Sequence, residues 1–173
     1  MITIISGTNR PNNQSIKLAK LCKKLFTELN KEAQILDLQS LPEDFLYSAS
    51  YGKTNSDFEK IIETHIIASQ KFVFIIPEYN GSFPGVLKSF VDCVSPEFWH
   101  NKRATLIGLS AGRAGNLRGL DHFTGVLHYL QVEVFSKKQK LSQFHTLLNN
   151  AQEVGDEIAL ESVKSQLKRF LEF

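Results

Sequence analysis

KFVFIIPEYNGSFPGVLKSFVD, residues 71–92, joins three kinds of chain in one stretch. Phe72 to Ile76 is the most continuous apolar run of the sequence, as a strand buried on both faces requires. It stops at Pro77. Pro77, Glu78, Tyr79, Asn80, Gly81, Ser82 and Phe83 follow with almost nothing to bury. Pro84-Gly85 then opens an amphipathic stretch, Gly85 to Val94, that reads as a helix. A buried strand that feeds a helix is half of a parallel crossover unit. The polar, aromatic-bearing loop between them is left over the strand's carboxyl end.

The same alternation extends in both directions. MITIIS (1–6) is a β-branched run closed by Gly7, and Ser15 to Asn30 has a helical period with Lys17, Lys20, Lys23 and Lys24 mostly on the polar side. AQILDL (33–38) reads as a second strand, residues 39–54 as a loop, and Ser56 to Ser69 as a second helix. RATLIGLS (103–110) and QVEVFS (131–136) read as strands four and five, with a helix from Leu117 to Leu130 between them. Residues 137–148 fit neither period. Asn150 to Phe173 reads as a long closing helix. Five strand–helix alternations predict an α/β fold, a flavodoxin-like open five-stranded parallel sheet of order 2-1-3-4-5 with helices on both faces. The whole chain, 1–173, reads as one domain.

Composition narrows the function classes. The chain is 42% hydrophobic and 22% charged with net charge +2, so nothing points to nucleic acid. Its longest apolar runs fall short of a membrane span, and no basic n-region precedes ITIIS. Cys22 and Cys93 read as free thiols in a reducing cytoplasm. The five histidines show no metal-ligand spacing, and a lone His65 on a helix face reads as structural.

In such a sheet the ligand lies beyond the carboxyl ends of the strands, where strand order reverses. Three polar, glycine-bearing junctions project from that edge: SGTNRPNNQS (6–15), PEYNGSFPG (77–85) and SAGRAGNLRG (110–119). The first combines a helix N-terminus with Arg10 and small hydroxyl and amide groups, and it contains no acid. That suits a phosphate; the lesser alternative is that Asn13 or Ser15 merely caps the helix. Neither the P-loop nor the dinucleotide fingerprint is present. In the third, Gly112, Gly115 and Gly119 permit close backbone approach to a flat ligand. GLSAG (108–112) also matches the nucleophile elbow of serine hydrolases, with Asp121 and His145 following in triad order.

The three junctions together resemble the NAD(P)H-dependent FMN reductases of flavodoxin-like fold, the group of quinone, chromate and azo-dye reductases. PEYNGSFPGVLKSFVD is similar to the family nearly residue for residue. Asn13 stands where many members carry a serine that holds phosphate, Cys93 stands where a tryptophan is common, and SPEFWHNKR (95–103) is slightly longer than usual. The resemblance implies a flavoprotein oxidoreductase with FMN as cofactor and NADPH or NADH as reductant, passing electrons to a small quinone-like acceptor.

By the same resemblance, Thr8, Arg10, Asn13, Gln14 and Ser15 would take the phosphate. Pro77, Glu78, Tyr79, Asn80 and Gly81 would line the flavin ring, and Ser110, Gly112, Arg113 and Gly115 would meet its pyrimidine end. No catalytic side chain is expected, because the flavin takes the hydride itself. Homodimers or homotetramers are implied, and Tyr79, Phe83 and the EFW segment (97–99) read as exposed aromatics at an interface. A flavodoxin-type electron carrier and a hydrolase using Ser110 remain as alternatives. The small positive charge and Arg10 speak against the carrier.

Overall fold

The computed structural model describes residues 1–173. The elements run β1 (Ile2–Ser6), α1 (Ser15–Glu28), β2 (Ala33–Asp37), a short α2 (Phe45–Ser48), α3 (Ser56–Ile61), β3 (Lys71–Pro77), α4 (Gly85–Cys93), β4 (Arg103–Leu109), α5 (Leu117–Tyr129), β5 (Glu133–Val134), β6 (Gln139–Leu141) and α6 (Glu157–Glu172). The sheet order is β2-β1-β3-β4-β5, all parallel, with β6 also pairing with β4. This is the flavodoxin-like arrangement the alternation predicts.

Side-chain alternation explains the two layers. On β3, Phe72, Phe74 and Ile76 face α3, α4 and α5, while Val73 and Ile75 face α1 and α6. Both faces are therefore covered, and the core divides into clusters of 23 and 19 buried residues, one per face. Trp99 lies in the first cluster, tilted against Phe72 with ring centroids 5.4 Å apart. No helix is long and apolar enough to cross a membrane.

Three stretches differ from the sequence reading. The fifth strand is not continuous. It pairs with β4 at Arg103–Ala104, swings out over Ser136–Lys138, and returns to pair at Ile107–Leu109. Across the gap stands Gln166 of α6, fully buried. Its Nε2 donates to Leu106 O (2.9 Å) and Thr105 Oγ1 (2.7 Å), and its Oε1 accepts from Gln139 N (2.8 Å). One side-chain amide thus replaces the missing ladder bonds, as buried backbone groups require.

The closing helix begins at Glu157 rather than Asn150, because Asp156 caps it by accepting from Ala159 N at 2.8 Å. Residues 148–155 form a tight turn closed by a Leu148–Val154 bridge. Val154 is buried from that turn, so its apolar character mimics a helical period.

The second predicted helix is α only to Ile61 and π from Ile62 to Ile67. Side chains satisfy its displaced carbonyls. Gln34 Nε2 donates to Thr64 O (2.7 Å), Thr3 Oγ1 to His65 O (2.9 Å), and the buried Lys102 Nζ to Ile66 O and Ser69 O.

Candidate functional site

Because β1, β3 and β4 are parallel, their carboxyl ends share one edge, and the loops after them meet there. They are tied directly. Gly7 N donates to Ile75 O (2.9 Å) and Glu78 N to Leu109 O (2.9 Å). Thr8 Oγ1 and Tyr79 Oη lie 2.8 Å apart. Between the loops is a cleft of about 360 Å³.

Of the residues the sequence singles out, Thr8, Arg10, Asn13, Gln14, Ser15, Pro77, Glu78, Tyr79 and Ser110 line this cleft. Pro11, Asn12, Leu109 and Ala111 line it as well and were not singled out. Asn80, Gly81, Gly112, Arg113 and Gly115 lie outside its lining.

The first loop presents donors. No protein acceptor bonds the main-chain N–H groups of Asn12, Asn13 and Gln14, which lead into α1, or of Ser15, its first residue. The first turn of α1 has no acidic residue. Ser15 is fully buried, and its Oγ has no hydrogen-bond partner; Gln14 Oε1 is likewise unpartnered. Buried polar atoms are normally satisfied. A group of orphan donors at a helix N-terminus, with the Arg10 guanidinium beside it, fits a phosphate.

Asn13 has a different part from a phosphate-holding serine. Its Oδ1 accepts from Ile16 N (2.9 Å) and Ser6 Oγ (3.3 Å), and its Nδ2 donates to Arg10 O (3.0 Å). Both ends of the amide are thereby used to cap α1 and fold the loop. Only its main-chain N–H is left for a ligand.

The second loop is a hairpin tip. Tyr79 N donates to Ser82 O (2.9 Å) and Ser82 N to Tyr79 O (3.0 Å). Asn80 and Gly81 between them have φ of 51° and 76°, the Asn-Gly signature of a type I′ turn. The N–H groups of Asn80 and Gly81 have no protein partner. Phe83 packs edge-on against Phe123 (5.3 Å), and Ser82 Oγ lies 2.9 Å from His122 Nδ1, so α5 supports the hairpin.

The third loop is held by its own groups. Ser110 Oγ donates to Gly112 O (2.8 Å) and accepts from Gly115 N (2.9 Å). Gly115 is buried against the Lys140 backbone, where a β-carbon would come within 2.6 Å. The hydrolase triad does not form: Asp121 faces Lys138 at 4.0 Å, and His145 is exposed with no bond to Ser110. Asn116, which the sequence reading passed over, joins two loops. It is fully buried, and its Nδ2 donates to Ile76 O (3.0 Å) and Pro77 O (3.1 Å). The signal for it was an asparagine directly before an apolar helical period, with glycine three residues on.

Residues 1–146 match the family described as NADPH-dependent FMN reductase. The chain is 27% identical over 142 residues to a 2-hydroxy-1,4-benzoquinone reductase of Burkholderia sp., covering 80% of this chain and 75% of that one. It is 28% identical over 141 residues to an NAD(P)H-dependent FMN reductase of Pseudomonas aeruginosa, covering 78% and 74%. Among solved structures, the flavoenzyme NAD(P)H:(acceptor) oxidoreductase of Paracoccus denitrificans superposes with a TM-score of 0.80 at 23% identity, over 99% of this chain and 94% of the other. An NADH:FMN oxidoreductase in its apo form superposes at 0.79 with 20% identity, over 98% and 87%.

Proposed function

The chain belongs to the NADPH-dependent FMN reductase family, and on that premise we propose that the cleft at the carboxyl edge of its sheet holds FMN and serves electron transfer from NADPH or NADH to a small quinone-like acceptor. The observation that carries this reading is the set of orphan donors at the start of α1, Ser15 Oγ above all. The net reaction takes a hydride from the nucleotide and a proton from water and leaves a hydroquinone. Bound FMN would supply the hydride-accepting centre.

The chain's own residues bind and orient. The main-chain N–H groups of Asn12–Ser15, the hydroxyls of Thr8 and Ser15, and Arg10 would take the phosphate. Pro77, Glu78 and Tyr79 would form the wall along the ring. The free N–H groups of Asn80 and Gly81 would point charge-stabilising donors at its edge. Ser110, through its bonds to Gly112 and Gly115, would hold the third loop, with Arg113 at the rim. No general acid or base is required of the protein, and the cleft offers only one acid, Glu78. Free, unpaired cysteines are in keeping with a cytoplasmic location, which we also propose.

Arg10→Ala should weaken FMN binding about ten- to a hundredfold, the worth of one charge-assisted bond. Fluorescence titration reads this directly, and an affinity equal to the parent's would remove Arg10 from the site.

We further propose a homodimer, though not through the aromatics the sequence suggested. Trp99 is core, Phe83 is packed on Phe123, and Tyr79 is half-buried and bonded to Thr8. A groove of about 560 Å³ lies instead between α4 and α5, rimmed by the exposed Pro96 and Tyr129 and floored by the half-buried Val126 and the buried Val91, Val94 and Leu130. Tyr129 is 87% exposed there. His122 lines the same groove and bonds to Ser82 of the second loop, so this face adjoins that loop. Sedimentation at micromolar concentration should give twice the 19.6 kDa chain mass, and Tyr129→Glu should shift it toward monomer. A parent protein that stays monomeric would contradict the dimer.

A further inference from the structure

Arg118, on the first turn of α5, reaches over the Asn80–Gly81 turn. A β-carbon built on Gly81 would meet its Nη1 at 3.6 Å and nothing else within 4 Å. The guanidinium is exposed, and it takes part in none of the ion pairs or side-chain hydrogen bonds of the chain. One helical turn on, His122 contacts the same hairpin through Ser82, as residues four apart on one helix face can. So α5 directs two polar side chains at one hairpin: one holds it, and the other is free. No carboxylate, Glu78 of the same loop included, lies within ion-pair distance of Arg118. Asp121 faces Lys138, and Arg113 adds a second exposed cation on the neighbouring loop.

We propose that Arg118 determines acceptor specificity, favouring planar acceptors that carry a negative charge, such as ionised hydroxyquinones and arenesulfonates, over neutral ones. This rests on the reading that places the flavin ring's edge at the Asn80–Gly81 turn. A guanidinium is planar, permanently charged, and able to pair with a carboxylate- or sulfonate-like group through two donors at once. At an exposed mouth such a charge acts chiefly on encounter rate and discrimination, and salt screens it.

The test isolates the acceptor step. FMN-loaded parent, Arg118→Gln and Arg118→Lys are reduced anaerobically with dithionite and mixed in stopped flow with either a naphthoquinone sulfonate or menadione, following flavin reoxidation. Arg118→Gln should lower the ratio of the two rate constants about tenfold. Arg118→Lys should keep most of it, and high salt should bring the parent's ratio down toward that of Arg118→Gln. Binding of redox-inert naphthalene sulfonate, read as a perturbation of the flavin spectrum, should weaken about tenfold in Arg118→Gln. An equal loss with both quinones would make Arg118 a brace for the hairpin and overturn the proposal, as would an unchanged ratio. FMN affinity of the parent separates the two readings. A parent that fails to bind FMN overturns both, whereas FMN binding with an unaltered ratio overturns this one alone.

Discussion

Ser15→Asp should abolish FMN binding while leaving the fold intact. Ser15 is fully buried at the start of α1, and its Oγ faces no protein partner. Around it stand the unbonded N–H groups of Asn12–Ser15. A carboxylate at that position would take those donors and sit favourably on the helix dipole, worth about 0.3–1 kcal/mol. That gain opposes the cost of desolvating a buried carboxylate, so the protein should still unfold cooperatively, with a melting temperature no higher than the parent's. The phosphate would then meet a like charge in place of a hydroxyl. At about 4 Å and an effective dielectric near 20 that repulsion is on the order of 4 kcal/mol, more than a hundredfold in Kd. Ser15→Ala, by contrast, removes one neutral bond and should cost about tenfold or less. Fluorescence titration of both variants beside a thermal melt gives the comparison. Ser15→Asp protein with FMN affinity close to the parent's would show that the start of α1 is not the phosphate site.

Asn116→Ala should be among the most destabilising single substitutions in the chain. Asn116 has φ of 62° and is fully buried, and its amide serves two carbonyls at the end of β3. Removing it leaves Ile76 O and Pro77 O without that donor, at about 1–3 kcal/mol for a buried unsatisfied group. Alanine in left-handed backbone adds roughly 1 kcal/mol. A total of about 2–4 kcal/mol lowers the melting temperature by roughly 5–15 °C for a chain of this size. Gly119→Ala should produce the same defect from the other side, because its β-carbon would fall 2.2 Å from Asn116 Oδ1. FMN binding should weaken with it, since Pro77 opens the cleft's second wall. Thermal unfolding of either variant within a degree or two of the parent would contradict this account of the loop junction.

Much of this was legible in the sequence where one physical signal dominated. The run Phe72–Ile76 is apolar without a break because both sheet faces are covered, and it marked the central strand. The three polar junctions marked the cleft because a shared carboxyl edge is a property of topology, not of any one residue. What the sequence concealed was the partner each of three residues finds in the fold. Gln166 reads as a polar interruption on the core face of α6, yet it completes the sheet where strand five breaks. Asn13 is a candidate ligand by composition, but its bonds to Ser6, Arg10 and Ile16 commit its side chain to the loop. Trp99 sits in a polar segment, yet β3 and α4 leave a core position for it against Phe72, Phe74 and Phe90. Each of these depends on a partner 3 to 61 residues away, which no local period records.

The central claim is that orphan donors at the start of α1 hold the phosphate of FMN. Titrating flavin-free protein with FMN, following isoalloxazine fluorescence, tests it most directly. The account predicts saturable binding at one FMN per chain, competed by inorganic phosphate and lost in Ser15→Asp. Folded protein that leaves FMN fluorescence unchanged throughout the titration, or that binds FMN and riboflavin equally well, would contradict it.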